Sequence, residues 1–309
     1  MTLQQLEYIV ALDEYRHYVT AASHSFVSQP NLTMQVKKLE DEIGVRIFDR
    51  NKKPLQPTEI GKEVILRARQ ILREAKQLKE FVNHEKESME GEFTIGIIPT
   101  VAPYLLPQFL PLFMEENPKV HLKIQELQTS QIISQLENGI IDIGLLVTPL
   151  QEPHIREIPV YYEPFLLYLP KNHHLQKEKL MVADDLDPSD VLVLDEGHCF
   201  REQALSICKS AKNNSSIGFD YQSGSIEALK SLVRNGVGYT LVPELSVVNE
   251  RDSGHLKRFS KPEPVREVSI VVHNSYIKES VITRLKATIQ KVIPEALLTK
   301  QSVVKLNMN

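Results

Sequence analysis

Thirty residues, Thr58 to Glu87, pass without a proline and with one glycine, Gly61. Val64, Ala68, Ile71, Ala75, Leu78 and Val82 recur there at alternating steps of four and three, which lays apolar side chains along one seam of a helix. A lone helix with such a seam seeks a partner, and the pattern predicts a long dimerising linker helix. The competing arrangement is an amphipathic helix lying on its own domain. "KESMEGE" then reads as a hinge, so the linker and hinge occupy 59–90. This segment divides the chain into two parts whose residue patterns differ.

Upstream, residues 1–58 read as short helices and turns. Leu3, Leu6, Ile9, Val10 and Ala11 share a face of a first helix, and a short second helix covers Val19 to Ser25. "FVSQPNLTMQVKKLEDEIG" supplies a third. Ser28 is a candidate cap, Pro30 lies in the first turn where its missing N–H is harmless, and Gly44 is a stop signal. Val27, Leu32, Val36, Leu39 and Ile43 give it a buried face. "VRIFDRNKKPLQPTEIG" follows as strand, basic stretch and turn. The layout predicts a winged helix-turn-helix.

Downstream, over 91–309, strands and helices alternate. "FTIGII", "VHLKIQEL", "DIGLLV", "FLLYL", "VLVL", "YTLVP" and "VSIVV" are the expected strands. Helices are expected at Tyr104–Glu116, Gln131–Asn138, Cys199–Lys212, Ile226–Asn235 and Glu279–Ile293. The pattern predicts an α/β fold with a mostly parallel sheet in two lobes, lobe I at about 91–161 and 267–303 and lobe II at about 162–266.

Composition narrows the function. A net charge of −4 argues against an indiscriminate polybasic binder without excluding sequence-specific DNA binding. No stretch approaches the roughly 18 apolar residues of a membrane span. "MTLQQLEYIVALDEYRHY" lacks the basic flank and cleavage site of a signal peptide, so a cytoplasmic protein is expected. In that reducing compartment, two cysteines are not a permanent staple. Inert core thiols, metal ligands and a redox device all stay open.

The third helix presents Ser28, Gln29, Asn31 and Thr33 near its start, short side chains suited to base edges and phosphates. In a helix-turn-helix the second helix of the motif enters the major groove N-terminus first. Lys37, Lys38, Arg50, Lys52 and Lys53 are placed to take phosphates, or for Arg50 a minor-groove edge. "LEYIVALDEYRHYVTAASHSFVSQPNLTMQVKKLEDEIGVRIFDR" resembles the N-terminal domain of LysR-type transcriptional regulators. The marks are "VSQPNLT", with Pro30 inside it, "KKLEDEIG" and "FDR". The resemblance covers essentially the whole chain. It implies an N-terminal winged helix-turn-helix, linker-helix homodimers, usually homotetramers on promoter DNA, and a two-lobed periplasmic-binding-protein-like (type 2) effector domain. RNA polymerase and a glutaredoxin or thioredoxin reductant are the further partners it implies, and it implies no cofactor.

"GIIPTVAPYLLP", "EGHCFREQALSIC" and "PEPVRE" are similar to the peroxide-sensing OxyR-type branch of that family. That likeness makes Cys199 the peroxide-reactive thiol and Cys208 the resolving one, with Thr100, Thr129, His198, Arg201 and Arg266 lining the site. Where some members carry a histidine shortly after the second cysteine, this chain has Gly218, so that role does not carry over.

The residues fit this reading. A thiolate is the nucleophile, and Cys199 sits at an expected helix start that favours an anion, beside His198 and Arg201. Thr100 and Thr129 follow strands, positions that face the crevice of an open sheet, although each would also serve as an ordinary helix cap. Cys199 and Cys208 are nine positions apart, so an intact helix holds their Cα atoms about 13 Å apart on roughly opposite faces. A disulfide needs Cα atoms within about 7 Å, so oxidation must unwind the helix. The rival readings are a metal sensor using His198, Cys199 and Cys208, a metabolite-responsive regulator with inert cysteines, a thiol peroxidase and a solute-binding protein. The spacing lacks the short CxxC of zinc sites, a peroxidase has no use for a recognition helix, and a solute-binding protein needs an export signal.

Overall fold

The structure, a computed structural model, describes residues 1–83, 90–183, 186–187, 189–195, 199–208, 221, 223–276, 278–299 and 304–305, with side chains not described at 76–77, 79–83 and 304–305. The described residues form two compact units, one of 1–83 together with 137–140 and the other of 90–136 together with those from 141 onward.

The first unit comprises α1 (Leu3–Tyr15), α2 (Tyr18–His24), α3 (Gln29–Ile43), β1 (Phe48–Asp49), β2 (Gln56–Pro57) and α4 (Glu59–Asn83). A capping box of Thr2 and Gln5 starts α1. Its buried residues are Gln5, Leu6, Tyr8, Ile9 and Leu12, whereas Leu3 is exposed and Val10 and Ala11 are half-buried. Leu6 and Ile9 thus lie in the core as expected, and the buried face continues through Gln5, Tyr8 and Leu12 rather than Leu3, Val10 and Ala11. α3 behaves as its sequence predicts: Leu32, Val36 and Leu39 are buried, and Gly44 ends it at φ +74°, a conformation that suits glycine. Ser28 holds the cap position with extended dihedrals, but its side chain makes no capping hydrogen bond. β1 and β2 pair antiparallel as a small wing, Phe48 opposite Pro57. Val64, Ile65, Ala68 and Leu72 of α4 pack against the core of this unit. The first half of the apolar seam thus covers its own domain; Ile71 and Leu78 are 40% and 66% exposed, and the side chain of Val82 lies outside the described residues.

The second unit holds β3 (Gly91–Ile97), α5 (Ala102–Glu116), β4 (Val120–Glu126), α6 (Thr129–Glu137), β5 (Ile143–Thr148), β6 (Ile155–Tyr168), β7 (Val191–Leu192), α7 (Cys199–Ile207), α8 (Ile226–Arg234), β8 (Tyr239–Pro243), β9 (Leu256–Arg258), β10 (Pro264–His273), α9 (Glu279–Val292) and β11 (Val304–Lys305). Sheet order is β4-β3-β5-β10-β6-β8-β7, with β9 on β6 and β11 on β10. The sheet is mixed rather than mostly parallel. β3 pairs parallel with β4 and β5, and β7 with β8, but β10 runs antiparallel to β5 and β6, and β6 antiparallel to β8. The long strands β6 and β10 serve both lobes, which is the source of the antiparallel centre. β6 starts well before the expected "FLLYL" because Pro159 and Pro164 disguise its first half. The register of β6 against β10 shifts between Val268 and Ser269, opposite Tyr161 and Pro159, an irregularity of the kind that tolerates proline in a strand.

Two apolar cores result, one built on Phe93, Ile95, Leu105, Phe109, Val268 and Ile270, the other on Phe165, Leu167, Phe200, Leu229, Leu241 and Val242. α7 reaches both. Cys199 belongs to the first core, while Phe200, Ala204, Ile207 and Cys208 belong to the second. The expected extension of this helix through Lys212 falls on residues that, from 209 onward, lie outside the described ones.

Candidate functional site

Gly96 on β3 and Gly144 on β5 sit opposite each other in the sheet. A Cβ on Gly144 would lie 2.6 Å from Ile132 Cγ2, so the missing side chain lets α6 settle directly on the sheet. That seating places Thr129, the first residue of α6, beside Cys199, the first residue of α7. The Thr129 side chain hydrogen-bonds the Cys199 sulfur, and the Phe200 N–H does the same from the helix start.

Arg266 on β10 supplies the positive charge. It is fully buried and held from several sides: Nε donates to Glu163 Oε2 at 2.9 Å and Nη2 reaches the same oxygen at 2.7 Å. Nη1 donates to Thr100 Oγ1 at 3.2 Å and Nη2 to the Thr100 carbonyl at 3.1 Å. The guanidinium carbon lies 5.7 Å from the centre of the Phe200 ring. The Thr100 hydroxyl accepts from Arg266, and α5 has no side-chain cap bond at its start, so Thr100 orients the guanidinium. Glu163 is itself buried and accepts the Leu245 N–H at 2.7 Å.

Cys199 is buried and its thiol is free. Burial pushes it above the ordinary thiol range, and the Thr129 hydrogen bond, the Arg266 charge and the Phe200 N–H pull against burial, while Glu202 adds to it. At rest, then, the group is a protonated thiol inside a pocket built to receive negative charge. Arg201 points elsewhere, donating Nη1 to the Leu194 carbonyl at 2.8 Å. His198 lies outside the described residues, as does Gly218.

Cys208 is also free and buried. Its N–H donates to the Ala204 carbonyl at 3.0 Å, so the helical turn persists up to it. Burial pushes its thiol up to about 11, and a hydrogen bond with the Tyr239 phenol works against burial. The intact helix keeps the two sulfurs in different cores, the geometry that its nine-residue spacing predicts.

In the first unit Ser28, Gln29, Pro30, Lys37 and Lys53 are exposed, while Asn31 and Thr33 are half-buried. The Thr33 hydroxyl donates to the Gln29 carbonyl at 2.9 Å and accepts from Gln29 Nε2 at 3.2 Å, so this pair is pre-arranged on one face of α3. Arg50 is exposed but engaged: Nη2 meets Glu40 Oε2 at 2.9 Å. Buried Glu40 also accepts the N–H groups of Ile47 and Phe48 at 2.8 and 3.2 Å, fixing the wing to α3.

Glu163, Phe200, Tyr239 and Glu40 are site residues that the sequence did not flag. A single acid inside the apolar run "YYEPFLLYL" is the one local signal that would have found Glu163. Among the described residues no group of three or more His, Cys, Asp or Glu side chains is arranged to hold a metal ion, and no helix is long and apolar enough to cross a membrane.

Residues 3–62 match the bacterial regulatory helix-turn-helix protein, lysR family, and residues 86–292 match the LysR substrate binding domain. The chain is 38% identical over 273 residues to a hydrogen peroxide-inducible genes activator of Pectobacterium carotovorum subsp. carotovorum, covering 88% of this chain and 90% of that protein. A full-length OxyR variant from Pseudomonas aeruginosa is similar at 30% identity and a TM-score of 0.84, with 98% of this chain and 99% of that one covered. A Corynebacterium glutamicum OxyR mutant, H2O2-bound, is similar at 28% identity and a TM-score of 0.61, with 94% of each chain covered. A helix-turn-helix unit, a two-core α/β unit and relatives of this closeness make the chain a member of the LysR family of bacterial regulators, in the branch of the hydrogen peroxide-inducible genes activators.

Proposed function

We propose that this chain is a redox-regulated DNA-binding transcription factor that senses hydrogen peroxide through Cys199 and Cys208 and controls antioxidant genes. The observation that carries this reading is the pair of free thiols on one intact helix, one in a polar pocket with a buried arginine and the other in an apolar core. Peroxide enters beside Cys199, where the hydroxyls of Thr100 and Thr129 and the Arg266 charge hold it. The Cys199 sulfur attacks one peroxide oxygen and the O–O bond breaks. The sulfur becomes a sulfenic acid, and the second oxygen leaves as water with the thiol hydrogen. Thr129 and Arg266 stabilise the negative charge that builds on sulfur and the departing oxygen.

Closure of the disulfide then requires α7 to unwind, which couples oxidation to repacking of both cores. The thiol senses and does not turn over; a glutaredoxin or thioredoxin system resets it in the cytoplasm. α3 enters the major groove with Ser28, Gln29, Pro30, Asn31 and Thr33 leading, while Lys37, Lys53 and the wing residue Arg50 hold phosphates. Two chains pair through Ile71 and Leu78 of the linker helix, two such dimers form a tetramer on promoter DNA, and repacking changes their engagement with RNA polymerase.

Footprinting of the reduced and the peroxide-treated protein on its own promoter tests this. The expected result is two different protection patterns in the wild type and one unchanging pattern for Cys199→Ser. A Cys199→Ser protein that still answers peroxide normally removes the redox reading, and zinc retained with unchanged thiols in native mass spectrometry replaces it with a metal sensor.

A further inference from the structure

The phenol of Tyr239, the first residue of β8, sits between two acceptors. It donates to the Asp187 carbonyl at 2.8 Å and lies 3.8 Å from the Cys208 sulfur. A phenol has one hydrogen to give and also accepts. The phenol hydrogen is shared, directed at the Asp187 carbonyl at 2.8 Å and more weakly at the Cys208 sulfur at 3.8 Å. The ring has little freedom to leave. It is 1% exposed, its backbone N–H donates to the Asp190 carbonyl at 3.0 Å, Val191 of β7 pairs with it, and His173 stands edge-on to it with ring centres 6.2 Å apart.

We propose that Tyr239 is a positioning residue of the switch: its phenol tethers Cys208 in the second core and so sets the delay between oxidation of Cys199 and closure of the disulfide. The inference rests on the reading of the two cysteines as a redox pair. In the closure step the Cys208 sulfur attacks the sulfenic sulfur of Cys199 and the S–O bond breaks. The oxygen leaves as water, carrying the sulfenic hydrogen and the thiol hydrogen. Cys199 is reduced from sulfenic acid to disulfide as Cys208 is oxidised from thiol to disulfide, so no further reductant or oxidant is needed. Cys208 must leave the phenol to make that attack, because the intact helix keeps the sulfurs in different cores. A bond present in the thiol state and absent from the disulfide slows closure and favours the reduced pair.

Tyr239→Phe in the full-length chain keeps the ring and removes the tether; Asp187 is exposed, so its carbonyl can turn to water. Rapid mixing with peroxide, dimedone trapping of the sulfenic acid and mass detection of the disulfide separate a peroxide-dependent phase from a concentration-independent closure phase. Closure in Tyr239→Phe is expected to be faster, and the thiol–disulfide equilibrium moved toward the disulfide, each on the order of fivefold, the ratio one typical hydrogen bond is worth. Closure at the wild-type rate, or a change confined to the peroxide-dependent phase, overturns the tether. A change of packing alone is told apart in a Cys208→Ala background. There the effect of Tyr239→Phe on the urea midpoint is expected to shrink, and an effect that persists in full overturns the proposal. Absence of any Cys199–Cys208 disulfide in the wild type overturns the redox pair and the tether together, whereas a disulfide that closes equally fast with phenylalanine overturns the tether alone.

Discussion

One helix carries two cysteines into unlike surroundings. At the start of α7, Cys199 meets a hydroxyl, a backbone N–H and the field of a buried arginine; at the end, Cys208 meets apolar side chains and one phenol. Burial pushes both thiols up, but at Cys199 three groups work against it and at Cys208 the Tyr239 phenol does. Residue type and burial are therefore shared, and what differs is the capacity to stabilise negative charge on sulfur. That difference orders the chemistry: the first pocket supports a reaction that builds charge, and the second protects a thiol until the helix releases it.

Removing the charge that distinguishes the two ends is the severest way to break the comparison. Arg266→Ala leaves Glu163 buried without its partner, and loss of one member of a buried ion pair costs about 3–5 kcal/mol. The expected outcome is a large fall in the urea midpoint together with sulfenic acid formation at Cys199 slowed at least a hundredfold. Pairing the change with Glu163→Gln is expected to restore much of the stability and none of the rate. A rate that recovers together with stability would mean that Arg266 holds the fold and not the developing charge.

The second end can be probed through pH. The Cys208 thiol titrates near 11 in the folded chain, raised from an ordinary value of 9.0. The unfolded chain therefore gives up this proton first, so the contribution to stability is complete below about pH 9 and is lost as pH rises toward 11. The difference amounts to about 2–3 kcal/mol. Unfolding of the reduced protein across pH 8 to 11 is expected to show a steeper decline than the same series for Cys208→Ala, in which the common titrations of lysine and tyrosine remain. Parallel curves for the two proteins would place Cys208 in a more polar setting than its neighbours indicate.

How much of this contrast the sequence discloses depends on how local its cause is. α3 is legible because Pro30, Gly44 and the spacing of Leu32, Val36 and Leu39 act within one helix. The separation of the two sulfurs is legible for the same reason, since nine helical steps fix it. β6 is hidden because it carries two prolines, one of them, Pro159, at an irregularity in its pairing with β10, about a hundred residues later. The seam of α4 shows its period but not its partner, and the structure gives Val64 and Ala68 to the core of their own domain. Glu163 and Tyr239 make their decisive contacts at sequence separations of 103 and 31 residues, and no local pattern encodes such a meeting. Thr100 and Thr129 fall between these cases. Their places after strands predict exposure to the crevice, but only the packed sheet decides that one orients Arg266 and the other bonds Cys199.

The finest test separates the hydroxyl of Thr129 from the charge of Arg266. Thr129→Val conserves volume and removes the oxygen that bonds Cys199, while the salt bridge between Arg266 and Glu163 is left in place. Without that bond the thiol rises further under burial. The expected outcome is a roughly tenfold slower peroxide-dependent phase, about 1.4 kcal/mol at the barrier. Stopped-flow trapping of the sulfenic acid reads that phase directly, and the closure phase, which depends on Cys208 and its own surroundings, is expected to keep its rate. If closure slows and peroxide attack does not, Thr129 acts by seating α6 against α7 rather than by its hydroxyl. The two ends of the helix would then be coupled through packing and not through separate pockets.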